Sequence, residues 1–105
     1  MDLDLKQQIE NDIQKNKIMI YMKGTPDSPQ CGFSLQVINI LKSYKIPFGA
    51  KNVLDDPELR QGIKEFSDWP TIPQIFINGE FIGGCDIISE LHQNGELKRL
   101  MEQVK

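Results

Sequence analysis

Two cysteines, Cys31 and Cys85, are the side chains best suited to covalent or metal chemistry in this 105-residue chain. Cys31 opens the run Cys31-Gly32-Phe33-Ser34. The segment before it, Gly24-Thr25-Pro26-Asp27-Ser28-Pro29-Gln30, is made of turn formers, and after it Phe33, Val37, Ile38 and Leu41 recur at helical spacing. The sulfur therefore falls at or just before a helix N-terminus. Unpaired backbone N–H groups and the positive end of the helix dipole favour a thiolate there, and a thiolate is both a nucleophile and a metal ligand. A lone cysteine is more often an inert core residue, but the polar loop and Gly32 argue for exposure. Ser34 stands where a Cys-x-x-Cys pair would carry its second thiol. A hydroxyl cannot displace a sulfur, so a mixed disulfide on Cys31 could not be resolved from that position. Cys85 follows Gly83-Gly84 and reads first as a small residue filling space, with a slow disulfide to Cys31 as the alternative.

The remaining chemistry-bearing types offer less. His92 is the single histidine, and it sits among polar residues, which suits a solvated surface. Two cysteines and one histidine cannot close a four-ligand zinc site within one chain. Met19, Met22 and Met101 are scattered as core residues would be.

Length and charge set the frame. With 105 residues, 39% of them hydrophobic, the chain suits one domain, residues 1–105, with a modest core. A net charge of −3 and no block of Lys or Arg leave no face for nucleic acid phosphates. No run of about 18 apolar residues is present to span a bilayer. The start Met1-Asp2-Leu3-Asp4 is acidic, where targeting peptides are basic. Few cysteines and an acidic start lead to the expectation of a soluble protein in the reducing cytoplasm.

The elements that must position Cys31 follow in order. Leu5, Ile9 and Ile13 predict a helix over residues 2–15, and the continuous apolar run Ile18–Met22 predicts a central strand. The Cys31 helix should end near Tyr44, before Ile46-Pro47. Residues 48–53 offer a second strand, parallel to the first because a helix separates them. Asp56-Pro57 starts a third helix with Leu59, Ile63 and Phe66 inward, ending by Asp68. After Trp69-Pro70-Thr71-Ile72-Pro73, the strand Gln74–Ile77 turns at Asn78-Gly79, a strong hairpin signal, into residues 80–82. Cys85-Asp86 opens another helix, Gly95 ends it, and residues 96–104 form the last. This predicts an α/β chain with a four-stranded mixed sheet and helices on both faces.

Lys23-Gly24-Thr25-Pro26, Cys31-Gly32-Phe33-Ser34, Trp69-Pro70-Thr71-Ile72-Pro73-Gln74 and Gly83-Gly84-Cys85-Asp86, in this order and spacing, resemble the monothiol glutaredoxins of the Cys-Gly-Phe-Ser type. One such motif occurs by chance; four in register over nearly the whole chain do not. The resemblance implies a thioredoxin-like fold and two cofactors, glutathione and a [2Fe-2S] cluster. It names Cys31 as both the catalytic thiol and the metal ligand. For glutathione it implies Lys23 and Arg60 on the glycine carboxylate, Ile72 pairing its backbone with the ligand before a cis Pro73, and Phe33 beside the sulfur. The helix start at Cys85 and Asp86 would take the γ-glutamyl end. The implied function is cluster carriage in iron-sulfur assembly and iron homeostasis, by a cluster-bridged homodimer. Its partners would be a BolA-like protein and iron-sulfur acceptors, with no nucleic acid and no membrane. An enzyme reading stands beside it: a monothiol oxidoreductase that removes glutathione from proteins.

Overall fold

The run Ile18–Met22 decides the layering, because a strand turns successive side chains to opposite faces. In the computed structural model, which describes residues 1–104, this strand (β1) is buried along its whole length. Ile18, Ile20 and Met22 join one core and Met19 and Tyr21 the other. A strand covered on both faces has no polar side, which is why the segment reads as an unbroken apolar run.

Helix α1 (Leu3–Lys15) begins at Asp2, whose carboxylate accepts from the N–H of Asp4. Helix α3 (Pro57–Ser67) begins at Asp56, which accepts from the N–H of Leu59 at 3.0 Å. These two helices press Ile9, Ile13, Leu59 and Ile63 onto Met19 and Tyr21. The other face is covered by α2 (Gly32–Ser43), α4 (Cys85–Gln93) and α5 (Glu96–Gln103), through Val37, Ile38, Leu41, Ile88, Leu97 and Met101. Each such aliphatic side chain contributes roughly 1.5–3 kcal/mol when fully removed from water. Met19, Met22 and Met101 are core residues, as their scatter implied.

The sheet has the order β4-β1-β5-β6, with β4 at Gly49–Asn52, β5 at Gln74–Ile77 and β6 at Glu80–Gly83. β4 is parallel to β1, while β5 and β6 are antiparallel to their neighbours, so the mixed sheet and two-sided helical cover are as predicted. Asn78 and Gly79 both have positive φ, 54° and 82°, as the tight hairpin between β5 and β6 requires. Two local expectations change. The second strand is shorter than residues 48–53, spanning Gly49–Asn52. The segment before Cys31 is not an open loop, since Gly24–Thr25 (β2) and Ser28–Pro29 (β3) pair antiparallel as a small hairpin. Nothing in its hydrophobic pattern announces this, because so short a ribbon is held by backbone pairing and not by burial.

Candidate functional site

Cys31 is the N-cap of α2. Its φ and ψ are −148° and 137°, and its carbonyl accepts the first helical hydrogen bond, from Leu35 N–H at 2.9 Å. The sulfur makes no capping hydrogen bond of full geometry. The side chain is half-buried, and its thiol is held below the ordinary cysteine value. The backbone N–H of Ser34 does most of this against an opposing desolvation, followed by the N–H of Phe33, the charge of Lys23 and the Ser34 hydroxyl. These N–H groups belong to the second and third helical residues, which an N-cap side chain faces.

The residue at the would-be resolving position has a different task. Ser34 is 0% exposed, and its Oγ accepts from the N–H of Lys23 at 3.2 Å. It thereby ties the end of β1 to the first turn of α2, holding Lys23 next to the thiol. The hairpin between them is pinned at several points. Gly24 N–H donates to Asn52 Oδ1 at 2.9 Å, Gln30 N–H to the Lys23 carbonyl at 2.9 Å, and Lys42 Nζ to the Pro26 carbonyl at 3.0 Å. Gly24 has φ of +92°, and a Cβ there would stand within 3 Å of Ser28 and Gln30 backbone atoms, so the sharp turn after Lys23 needs glycine.

Beside Cys31 lies a groove of about 210 Å³ lined by Phe33, Trp69, Ile72, Pro73, Cys85 and Asp86, with Thr71, Gly84 and Ile87. Five residues expected from the sequence, Phe33, Ile72, Pro73, Cys85 and Asp86, thus meet in one place. The Ile72–Pro73 peptide is cis. Phe33 is 60% exposed, an apolar ring left open beside the thiol. Gly84 is the N-cap of α4 and has no side chain to cap its N–H groups, so the first turn is open to an anion from the groove. Cys85 is 8% exposed, and burial pushes its thiol up, with the charges of Asp86 and Cys31 adding to this and a hydrogen bond with Ser89 opposing it.

Lys23 joins the site through its charge on Cys31. Arg60 lies half-buried on α3 and does not line the groove. Sequence reasoning missed Thr71, Gly84 and Ile87 as lining residues, and assigned Trp69 no contact of its own. The Trp69 ring packs against Phe81 at 5.7 Å and forms part of the groove wall. His92 is exposed but not merely solvated, since its Nδ1 and the Tyr44 hydroxyl are 2.6 Å apart. A larger concavity, about 710 Å³, lies between the C-terminal ends of α1, α2 and α5, and neither thiol borders it. Its three lysines, Lys15, Lys17 and Lys45, offset the negative helix ends there.

A family model described as Glutaredoxin matches residues 18–82. Over 102 residues the chain is 54% identical to an uncharacterized monothiol glutaredoxin ycf64-like protein of Synechocystis, covering 97% of this chain and 95% of that one. The chain is a monothiol glutaredoxin. Monothiol glutaredoxin-S15, mitochondrial, of Arabidopsis thaliana is 53% identical over 95% of this chain, which spans 59% of that relative's length. Monothiol glutaredoxin-5, mitochondrial, of Saccharomyces cerevisiae is 47% identical over 100% of this chain and 72% of its own. Poplar GrxS14, solved in solution in its reduced apo form, has a TM-score of 0.81 at 51% identity, over 95% of this chain and 89% of that one. A buckwheat glutaredoxin solved as a complex with glutathione shares the fold at 22% identity, with a TM-score of 0.82 over 98% of this chain and 94% of that one.

These relatives correct one expectation. The Arabidopsis and yeast proteins carry a mitochondrial designation, so the placement of this glutaredoxin in the cytoplasm does not stand. The inference failed for a physical reason: an acidic start and the lack of an apolar span describe the folded domain, and the same domain works in more than one compartment. Among the described residues no helix is long and apolar enough to cross a membrane. Monothiol glutaredoxins are known for roles with iron-sulfur clusters, and glutaredoxins bind glutathione.

Proposed function

We propose that this glutaredoxin carries a [2Fe-2S] cluster as cargo, binding it between two subunits and passing it to iron-sulfur acceptor proteins. The observation that carries the reading is a thiolate-favouring, half-exposed Cys31 beside a groove of about 210 Å³, while the only other cysteine, Cys85, is buried with its thiol pushed up. Four thiolates generally hold such a cluster. Ser34 is no ligand, because it is buried and engaged with Lys23, and Cys85 is buried with its thiol pushed up. Among the described residues no three Cys, His, Asp or Glu side chains gather as a metal site. The set is therefore completed from outside the chain, by a second Cys31 and two glutathione thiols.

Glutathione lies along the groove in this reading. Its γ-glutamyl carboxylate takes the open first turn of α4, with Asp86 on the ammonium. Its cysteine backbone pairs with Ile72 before Pro73, and its glycine carboxylate meets Lys23 and Arg60. Phe33 covers the apolar side of the ligand. The external thiols make the ligand set labile, which suits a carrier. A BolA-like partner with a free histidine or cysteine can replace one subunit.

A second reading is favoured by the lowered Cys31 thiol. The Cys31 thiolate attacks the glutathione sulfur of a glutathionylated protein, releasing the protein thiol and leaving a Cys31–glutathione disulfide. A second glutathione thiolate then attacks that disulfide, giving oxidised glutathione and free Cys31.

Native mass spectrometry of protein reconstituted with iron, sulfide and glutathione, with sedimentation of the apo form, tests the proposal. The expected species is a dimer with one cluster and two glutathiones that becomes monomeric when the cluster is removed. A cluster-bearing monomer, or a coloured dimer without glutathione, overturns it.

A further inference from the structure

The groove wall from Trp69 to Pro73 has a shortage of its own hydrogen-bond donors. Two of its five residues are prolines, Pro70 and Pro73, which carry no N–H. A turn of this composition leaves backbone carbonyls that it cannot pair internally, and buried carbonyls left unpaired are costly.

Gln74 supplies what the turn lacks. It opens β5 opposite Tyr21 and is 0% exposed; among the described residues it and Ser34 are the buried polar side chains. Its Nε2 donates to the Trp69 carbonyl at 3.0 Å and to the Thr71 carbonyl at 3.2 Å. Both hydrogens of one side-chain amide are thus spent on the two ends of the turn. The orientation of the amide is fixed by this pairing, since a flipped amide would set Oε1 against two carbonyl oxygens. Oε1 itself is buried without a partner among the described residues. A buried polar atom without a partner is a cost, which the two hydrogen bonds of the same amide offset. In this chain those contacts hold the wall that carries Trp69, Thr71 and Ile72.

We propose that Gln74 is a positioning residue of the groove: its two amide hydrogens lock the Trp69–Thr71 turn and so fix the Ile72 backbone and the Trp69 ring opposite the first turn of α4. It touches no ligand and acts only through the turn. The consequence for ligand binding rests on the glutathione reading of the groove given above; the locking of the turn does not.

Gln74→Glu keeps the shape and loses both donors when ionised, and Gln74→Met keeps the length without donor or charge. Trp69 is the only tryptophan, so its indole N–H resonance reports on the turn without ambiguity. In both variants that resonance and the Thr71 amide are expected to shift and broaden while resonances of α1 and α3 stay in place. Glutathione affinity by calorimetry is expected to fall about tenfold, the scale of one lost buried hydrogen bond. Unchanged Trp69 and Thr71 resonances overturn the lock. Shifted resonances with unchanged affinity overturn the positioning role. If the unsubstituted protein does not bind glutathione, the reading of the groove fails while the resonances still decide the lock. If neither variant folds, exchange of the Gln74 side-chain amide hydrogens in the unsubstituted protein decides: slow exchange of both supports the lock, and exchange at the rate of the exposed Gln8 amide overturns it.

Discussion

Cys31 and Cys85 both stand at the start of a helix and flank one groove, yet their thiols are driven in opposite directions. One position along the helix separates them. Cys31 is an N-cap, so its side chain faces the N–H groups of the first turn; Cys85 is the first helical residue, and no backbone N–H acts on its thiol. Burial adds to the difference, since Cys85 is 8% exposed and Asp86 brings a like charge next to any thiolate. Lying near a helix N-terminus is thus not enough to make a reactive cysteine. The cap position and access to solvent decide it.

The largest expected effect tests this asymmetry directly. Cys31→Ser should abolish cluster binding and Cys85→Ser leave it largely intact, as measured by iron and sulfide content after reconstitution. A colourless Cys85→Ser protein would erase the contrast and make Cys85 a ligand.

Next come the two cations assigned to the glycine carboxylate, of which Lys23 also acts on the Cys31 thiol. Replacing Lys23 and Arg60 by Gln should weaken glutathione binding by ~1.5–3 kcal/mol for each lost charge-assisted hydrogen bond. Calorimetry on the single and double variants separates the two, and an Arg60→Gln protein with full affinity would remove that residue from the site.

Ser34 sharpens the comparison through stability. Its hydroxyl is the buried acceptor for the Lys23 N–H, so Ser34→Ala should cost ~1–3 kcal/mol in denaturant unfolding. The unfolding midpoint of a Ser89→Ala control at the Cys85 side should move less, because Ser89 is not fully buried. Equal losses would mean that Ser34 is not a tie between β1 and α2.

The smallest effect is in the pH profile of alkylation. Rates follow the thiolate fraction, so a lowered thiol reaches its plateau at lower pH and a raised one is still climbing above the ordinary thiol value. Iodoacetamide should therefore modify Cys31 with a midpoint below that of a free cysteine and Cys85 with a midpoint above it. Ser34→Ala should move the Cys31 midpoint upward only slightly, because the backbone N–H groups that do most of the lowering remain. A common midpoint for both thiols would refute the cap argument.

Much of the fold was legible in the chain. Ile18–Met22 was found at its true bounds because burial on both faces leaves an unbroken apolar run, and Asp56-Pro57 and Asn78-Gly79 mark a helix start and a hairpin through local backbone chemistry. The small hairpin at Gly24–Pro29 was not legible, since two-residue strands carry no periodicity. Among site residues, Phe33, Ile72, Pro73, Cys85 and Asp86 were anticipated through recognisable motifs and do line one groove. The sequence by itself determined that Cys31 stands at a helix N-terminus and has no resolving thiol directly after the Gly-Phe pair, where Ser34 sits, because helix starts and spacing are local properties. Only the tertiary structure decided what Ser34, Asn52 and Gln74 do. Their hydrogen-bonding groups have many possible partners along the chain, and long-range packing selects one set: Ser34 for Lys23 across the start of α2, Asn52 for Gly24 across the sheet edge, and Gln74 for a proline-rich turn that cannot pair its own carbonyls.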